Sequence, residues 1–169
     1  MASCSTSKAP FSIRLIELAG IPIDGASAKD LEACRALRRA VFIEEQAVPE
    51  ALEWDGLDGE AHHFLAVDSA EALRSATQTA ALGTARMRIV DGLAKAERVA
   101  VRKDVRTQGV GRLLMVAIEA HARRKGLPAV VLHAQLTAIP FYESLGYQAH
   151  GEIFLDAGID HREMTKRLG

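Results

Sequence analysis

The chain has 169 residues, of which 49% are apolar and 25% are charged, and this composition is typical of a soluble globular protein and not of a disordered or fibrous one. The net charge of −1 gives no overall indication of nucleic-acid binding, and no apolar run approaches the roughly 20 residues that span a bilayer. Two cysteines, Cys4 and Cys34, are too few for a disulfide framework, so we expect reduced thiols and a cytoplasmic protein.

The chain is predicted to hold a single domain. Residues 1–10 read M-A-S-C-S-T-S-K-A-P, which lacks the apolar core of a signal peptide and predicts a disordered tail. Residues 11–169 contain no internal repeat and no clear boundary, so we assign all of them to one domain.

In the first half of the chain, residues 11–19 alternate apolar and polar side chains, which predicts a strand. Apolar residues then recur at helical spacing and predict one or two helices over residues 28–46. A loop is predicted over residues 49–59 and a short strand at 63–67, and residues 68–81 could form a flexible connection or a helical turn.

In the second half, residues 82–90 and 96–101 read as strands joined by a turn. A helix follows with an apolar period through Val110, Leu113, Leu114, Ala117, Ile118 and His121, and Gly126 stands where a left-handed cap belongs. The remaining elements are a buried strand at 130–134, a short helix at 138–145, and strands at 148–155 and 161–167.

The predicted element order is β-α-β-β-β-α-β-α-β-β. This order indicates an α/β (α+β) fold, in which a mixed sheet is covered by helices.

Charge is distributed unevenly along the chain. Residues 44–60 hold seven acidic residues and no Lys or Arg, whereas residues 86–125 hold eleven basic and four acidic residues. These segments could receive a cation and an anion respectively, and two solvated surfaces of opposite sign explain the same pattern.

The stretch R-T-Q-G-V-G-R-L-L, residues 106–114, follows a predicted strand and opens a predicted helix. The first amides of a helix have no partner within the helix, and glycines let a ligand approach the backbone, so the stretch predicts a phosphate site with charge from Arg106 and Arg112. It lacks both the P-loop pattern and the third glycine of a dinucleotide fingerprint.

With its flanks, V-A-V-R-K-D-V-R-T-Q-G-V-G-R-L-L resembles the signature of the GNAT acetyltransferases, a strand followed by R/Q-x-x-G-x-G/A and an amphipathic helix. A second stretch, L-T-A-I-P-F-Y-E-S-L-G-Y, resembles the family's tyrosine-bearing helix before L-G-[FY]. The resemblance covers residues 12–168 and implies a mostly antiparallel central sheet. A-V-F-I-E-E-Q, L-H-A-Q and G-E-I-F-L-D-A-G-I-D-H-R-E-M resemble the narrower ElaA-like branch.

The resemblance implies acetyl-CoA as co-substrate. Its pyrophosphate would rest on the loop at residues 106–112, and its pantetheine arm would pair with one strand where that strand diverges from the strand at 130–134. The implied contacts are Val99, Ala100, Val101, Arg106, Thr107, Gln108, Gly109, Val110, Gly111, Arg112, Gln135 and Tyr142. Gln135 departs from the family pattern, in which Asn commonly stands at this position.

Acyl transfer from a thioester to an amine requires a neutral amine, a stabilised carbonyl oxygen and a proton for the departing thiolate. The resemblance implies that Tyr142 supplies that proton, and an aromatic core anchor is the alternative role for this side chain. Glu97 and His133 are the two candidates for general base, and surface charge and packing are their respective alternatives.

The acceptor is expected to be a primary amine of a small molecule or peptide. Glu44, Glu45, Trp54 and Asp55 could line its side of the cofactor, although solvated loop charges explain the same residues. No metal site is expected, because the cysteines are isolated and the histidines lack the usual ligand spacing. By analogy with such families, we also consider a homodimer.

Two other functions remain open at this point. The same fold could hold acyl-CoA as a non-catalytic sensor or regulatory module, with Tyr142 serving only in packing. Alternatively, the predicted phosphate site could bind a different ligand such as a nucleotide.

Overall fold

A computed structural model describes residues 11–17, 25–70 and 80–169, with only the backbone of residues 25 and 26. The predicted tail at 1–10 and most of the predicted connection at 68–81 lie outside the described residues. The described strands are β1 (Phe11–Glu17), β2 (His62–Asp68), β3 (Gly83–Val90), β4 (Leu93–Val101), β5 (Ala129–Gln135), β6 (Gln148–Asp156) and β7 (Ile159–Arg167).

The strands form one sheet in the order β1-β2-β3-β4-β5-β7-β6. Every neighbouring pair is antiparallel except β4 and β5, which run parallel and are linked through a helix. The sheet therefore confirms the predicted mixed, mostly antiparallel architecture.

The helices are α1 (Gly25–Arg38), α2 (Glu50–Glu53), α3 (Val110–Arg124) and α4 (Ile139–Glu143). A π-helical segment, Arg39–Glu45, continues α1 directly, so the predicted helical region ends one residue earlier than expected. The last helix is shorter than the predicted span of 138–145, because a 3₁₀ turn, Leu136–Ala138, precedes it. No helix among the described residues has the length and apolar character needed to cross a bilayer.

Helices α1 and α3 cover opposite faces of the sheet. Leu65 and Val67 of β2 join the apolar cluster of α1, whereas Phe64 and Ala66 join the larger cluster around α3. Successive side chains of a strand point to opposite faces, so β2 is buried on both sides and has no solvent-exposed face.

The apolar period of α3 explains its placement. Leu114, Met115 and Ile118 are fully buried in the main core. The helix ends as predicted at Gly126, which has a φ of 72° and whose amide donates to the Arg123 carbonyl at 2.9 Å. The start of α3 lies against the end of β4, since a Cβ on Gly111 would be 3.6 Å from Val101 Cγ2.

Candidate active site

A cleft of about 350 Å³ opens where β4 and β5 diverge. The two strands pair only at Ala94, Lys95 and Ala96 with Val130, Val131 and Leu132. Beyond that point, the later halves of both strands line the cleft, with the end of the π-helical segment and α4 completing its wall. On the side that faces β5, the backbone of residues 97–101 therefore has no partner strand. This is the divergence of the two strands that was predicted from the sequence.

A β-bulge in β4 accompanies this divergence. Arg86 pairs with Glu97 and Thr84 pairs with Ala100, so the register between β3 and β4 slips across Arg98 and Val99. Arg98 has a φ of 53°, and its guanidinium donates to the Leu52 carbonyl at 2.9 Å. Bulges bend the strand that carries them, so this one turns the end of β4 away from its parallel neighbour.

The loop before α3 carries two residues in the left-handed region. Gly109, the N-cap residue, has a φ of 90°, and Thr107 has a φ of 68°, which is unusual for a β-branched side chain. Among the described residues, the amides of Gly109, Val110, Gly111 and Arg112 have no hydrogen-bond acceptor. Four donors at the positive end of a helix form a site suited to an anion.

The two glycines of this loop act in different ways. A Cβ on Gly109 would meet nothing within 4 Å, so this residue is needed for its backbone conformation. A Cβ on Gly111 would lie 3.2 Å from Phe141 Cζ and 3.6 Å from Val101 Cγ2. Gly111 therefore permits close packing of α3 on α4, and the approach of a ligand to its backbone stays a prediction.

Arg106 is committed to a partner within the protein. Its two terminal nitrogens donate to both carboxylate oxygens of Glu45 at 2.6 and 2.7 Å, and its Nε donates to the Val101 carbonyl at 3.0 Å. The hydrogen bonds and the positive charge of Arg106 lower the pKa of Glu45. The pair fastens the loop before α3 to the π-helical segment, so the charges of Arg106 and Glu45 are paired with each other. Arg112 is exposed, and its guanidinium donates to the Ser144 hydroxyl at 3.3 Å.

Tyr142 lines the cleft and is buried at 8% exposure. Its ring packs edge-on against Phe141 and Tyr147, with ring centroids 4.9 and 5.8 Å away. Burial raises the pKa of Tyr142 to about 12, and its hydroxyl finds no hydrogen-bond partner among the described residues. The phenol therefore stays protonated at neutral pH and can donate into the cleft.

Glu97 lines the cleft but has its carboxylate occupied. Arg88 donates to both of its oxygens at 2.8 and 2.7 Å, and Arg86 donates at 3.1 Å. Burial raises the pKa of Glu97, but the bonds from Arg88 and the charge of Arg86 outweigh that effect and leave the pKa below its ordinary value. A carboxylate held in this way is a weak proton acceptor.

His133 faces the cleft from β5 and remains partly exposed. Its ring packs edge-on against Phe154 at 4.9 Å, and its Nε2 lies 3.8 Å from a Glu163 carboxylate oxygen. Burial and the charge of Lys95 lower the pKa of His133 from 6.5. The imidazole is consequently neutral at pH 7 and offers a lone pair.

Gln135 lies at the end of β5, where its side-chain amide donates to the Gln46 side chain at 2.9 Å. This bond links the last residue of β5 to the residue that follows the π-helical segment. The sequence did not single out Gln46, although it ends the A-V-F-I-E-E-Q stretch, and its partner is 89 residues away in the chain.

Glu44 and Trp54, predicted on the acceptor side, are absent from the cleft lining. Glu44 is exposed, and Trp54 stacks under the guanidinium groups of Arg38 and Arg39, 5.1 and 5.7 Å from its ring centroid. Of the four residues predicted for the acceptor, Glu45 alone approaches the cleft, through its bond to Arg106, whereas Asp55 is held by Arg86. Cleft-lining Asp156, which the sequence did not single out, makes no ion pair among the described residues.

A buried ionic cluster, defined by Arg38, Glu53, Asp55, Asp58 and Arg86, supports the bulged part of β4. Arg38 and Arg86 are each only 1% exposed. Arg38 donates to Glu53 at 2.5 Å and to Asp58 at 2.8 Å, and Arg86 donates to Asp55 and Asp58 at 2.8 and 3.0 Å. Glu53 also pairs with Arg98 at 2.8 Å, so the cluster fixes the bulge.

The sequence matches one family model, described as an acetyltransferase (GNAT) domain, over residues 26–168. It is 39% identical over 131 residues to the uncharacterized N-acetyltransferase YjcF of Bacillus subtilis, covering 77% of this chain and 87% of that protein.

Two solved structures are similar along nearly their full lengths. An acyl-CoA N-acyltransferase from Pseudomonas aeruginosa is 28% identical with a TM-score of 0.74, covering 92% of this chain and 99% of that one. Escherichia coli ElaA is 24% identical with a TM-score of 0.71 over the same shares of the two chains, which shows a common fold.

Proposed function

Because the chain belongs to the GNAT acetyltransferase family, we propose that it transfers the acetyl group of acetyl-CoA to a primary amine of a small molecule or peptide. The observation that carries this proposal is the divergence of β4 from β5, which leaves a strand edge open beside a helix start whose amides are uncapped. A co-substrate with amide groups and a pyrophosphate fits both features.

The chain's own groups support a specific mode of binding. Residues 99–101 would pair with the amides of the pantetheine arm through their backbone, and Gln135 would contact the same arm. The amides of Gly109, Val110, Gly111 and Arg112 would hold the pyrophosphate, with Thr107 and Gln108 beside it. Arg106 would act by holding the loop against Glu45, and Arg112 would add positive charge.

We assign the chemical roles as follows, for direct attack within a ternary complex. Acetyl-CoA supplies a thioester. The acceptor amine attacks its carbonyl carbon, so that the new C–N bond forms while the C–S bond breaks. The backbone amide near Val99 polarises the carbonyl, and Tyr142 donates its proton to the departing sulfur. Solvent then returns a proton to Tyr142.

His133 is the better supported base of the two candidates. Its imidazole is neutral at pH 7 and faces the cleft, whereas the carboxylate of Glu97 is held by two arginines. In this mechanism the imidazole accepts the proton that the amine loses. Glu97 instead acts as a structural anion that pairs with Arg86 and Arg88.

The acceptor would enter beside His133 and the end of β6. Asp156 lies there with a carboxylate that has no ion-pair partner among the described residues. This carboxylate suits an acceptor that carries a second positive charge, such as a diamine or an amino sugar.

A thiol-release assay tests the proposal. Purified protein with acetyl-CoA should release free CoA when a panel of diamines, amino sugars and peptides is added. Binding of CoA without release by any amine would favour the non-catalytic acyl-CoA-binding module. Stabilisation by nucleotides, with none by CoA, would refute the proposed co-substrate.

A further inference from the structure

Three metal-ligating side chains meet outside the cleft. Glu17 ends β1, His62 begins β2 directly opposite it in register, and His121 lies in the last turn of α3. The ligand atoms of all three side chains lie within 4.8 Å of one another. This cluster could not be predicted from the sequence, because its members come from three separate elements and lack a short ligand spacing.

The two histidine nitrogens in this cluster are buried and unpartnered. His62 and His121 are 6% and 2% exposed, and their rings lie 4.5 Å apart. His62 Nδ1 and His121 Nε2 make no hydrogen bond and are shielded from solvent. Buried polar atoms in native proteins almost always have a partner, so this pair of atoms calls for an explanation.

The carboxylate of Glu17 faces both nitrogens. Its Oε1 lies 3.8 Å from His62 Nδ1 and 3.7 Å from His121 Nε2, beyond hydrogen-bond distance. Ligand atoms around a tetrahedral zinc ion lie about 3.3 Å apart, which follows from metal–ligand distances near 2.0–2.1 Å. The two oxygen–nitrogen distances would therefore shorten by about 0.4 to 0.5 Å, and the nitrogen–nitrogen distance, which is within 4.8 Å, by up to about 1.5 Å.

We propose that Glu17, His62 and His121 bind a divalent transition-metal ion of the zinc class. Two imidazoles and one carboxylate suit such an ion. Burial lowers the pKa of both histidines, which favours the neutral form that coordinates a metal. Glu17 is 43% exposed, so solvent can reach the ion and complete its coordination.

Two neighbouring cations must give way for the ion to bind. Lys125 Nζ lies 3.7 Å from Glu17 Oε1 on an exposed side chain that can swing into solvent. Arg124 donates to His121 Nδ1 at 3.3 Å, which places the imidazole proton on Nε2. Coordination through Nε2 moves that proton to Nδ1 and breaks this long hydrogen bond.

The bound ion would fasten the first two strands to the end of α3. It binds the folded arrangement of three elements that are far apart in the unfolded chain, so it should stabilise the native state. This site is independent of acyl transfer, since none of its ligands lines the cleft.

The test uses the full chain after treatment with a chelator and titrates it with Co²⁺, then with Zn²⁺. We expect one Co²⁺ per chain, a visible d–d band typical of a low-coordinate site, displacement of that band by Zn²⁺ and a higher melting temperature with Zn²⁺. Glu17→Gln should weaken Co²⁺ binding about tenfold or more, since even the loss of an outer-shell partner typically costs 10–100-fold.

Glu152→Gln is the matched control, because Glu152 is an exposed carboxylate on β6. It should bind Co²⁺ as the unmodified chain does. Absence of the band, or equal affinities for Glu17→Gln and Glu152→Gln, would overturn the proposal. His62→Gln adds a second ligand test, with far-UV circular dichroism verifying that each variant folds.

Discussion

Replacing Tyr142 with Phe removes one hydroxyl and retains the ring that packs against Phe141 and Tyr147. The hydroxyl has no partner among the described residues, so its loss should change the free energy of unfolding by about 1 kcal/mol or less. A positioned general acid contributes about 10²–10⁴-fold to a rate. We therefore expect kcat to fall at least about 10²-fold, which corresponds to about 2.7 kcal/mol of barrier.

The assay measures three quantities for each variant: kcat from thiol release, the dissociation constant for CoA from calorimetry, and the melting temperature. Tyr142→Phe should lower the first and leave the other two nearly unchanged. Tyr147→Phe is the matched control, because Tyr147 is also buried, at 2% exposure, but does not line the cleft. Its kcat should remain within about threefold of the unmodified value.

Equal kcat values for the two Phe variants would refute the reasoning, since the phenol would then contribute only through its ring. If Tyr142→Phe lost CoA affinity to the same extent as kcat, the hydroxyl would contribute to cofactor binding and not to the chemical step. The raised pKa adds a further check, because the Tyr142 proton should be retained up to a pH of about 12.

Two further predictions concern ionisation. As the pH falls through the pKa of His133, which lies below 6.5, kcat/KM should decline. His133→Gln should abolish this acidic limb of the pH profile, and Glu97→Gln should retain it. An acidic limb that persists in His133→Gln would exclude His133 as the base. Burial raises the pKa of Asp58, but Arg38 and Arg86 hold that pKa at about 2, below its ordinary 3.8. The carboxylate therefore contributes about 2 kcal/mol of stability above pH 4, and this contribution is lost as the pH falls through 2. Asp58→Asn should cost about 3 kcal/mol at pH 7 in urea denaturation and flatten this acid dependence, whereas an unchanged pH profile would contradict the assignment.

Local patterns in the sequence were enough to predict the sheet class, the period of α3, the end of that helix at Gly126 and the glycine-containing loop before α3. Each of these depends on residues within a few positions of one another, where backbone geometry follows directly from residue type. Phosphate binding by that loop stays a prediction. The resemblance that placed Tyr142 in the cleft rested on two such local stretches, and the tyrosine does line the cleft.

Side-chain partnerships between distant elements were decided only by the tertiary structure. Glu45 and Arg106 are 61 residues apart in the chain, and Arg86 and Asp55 are 31 apart. The sequence likewise marked Glu97 as a candidate base but did not show the two arginines that hold its carboxylate. Periodicity in a sequence determines which face of an element a side chain occupies. The packing of elements determines which charged groups lie next to that side chain, and those neighbours set its pKa and its role.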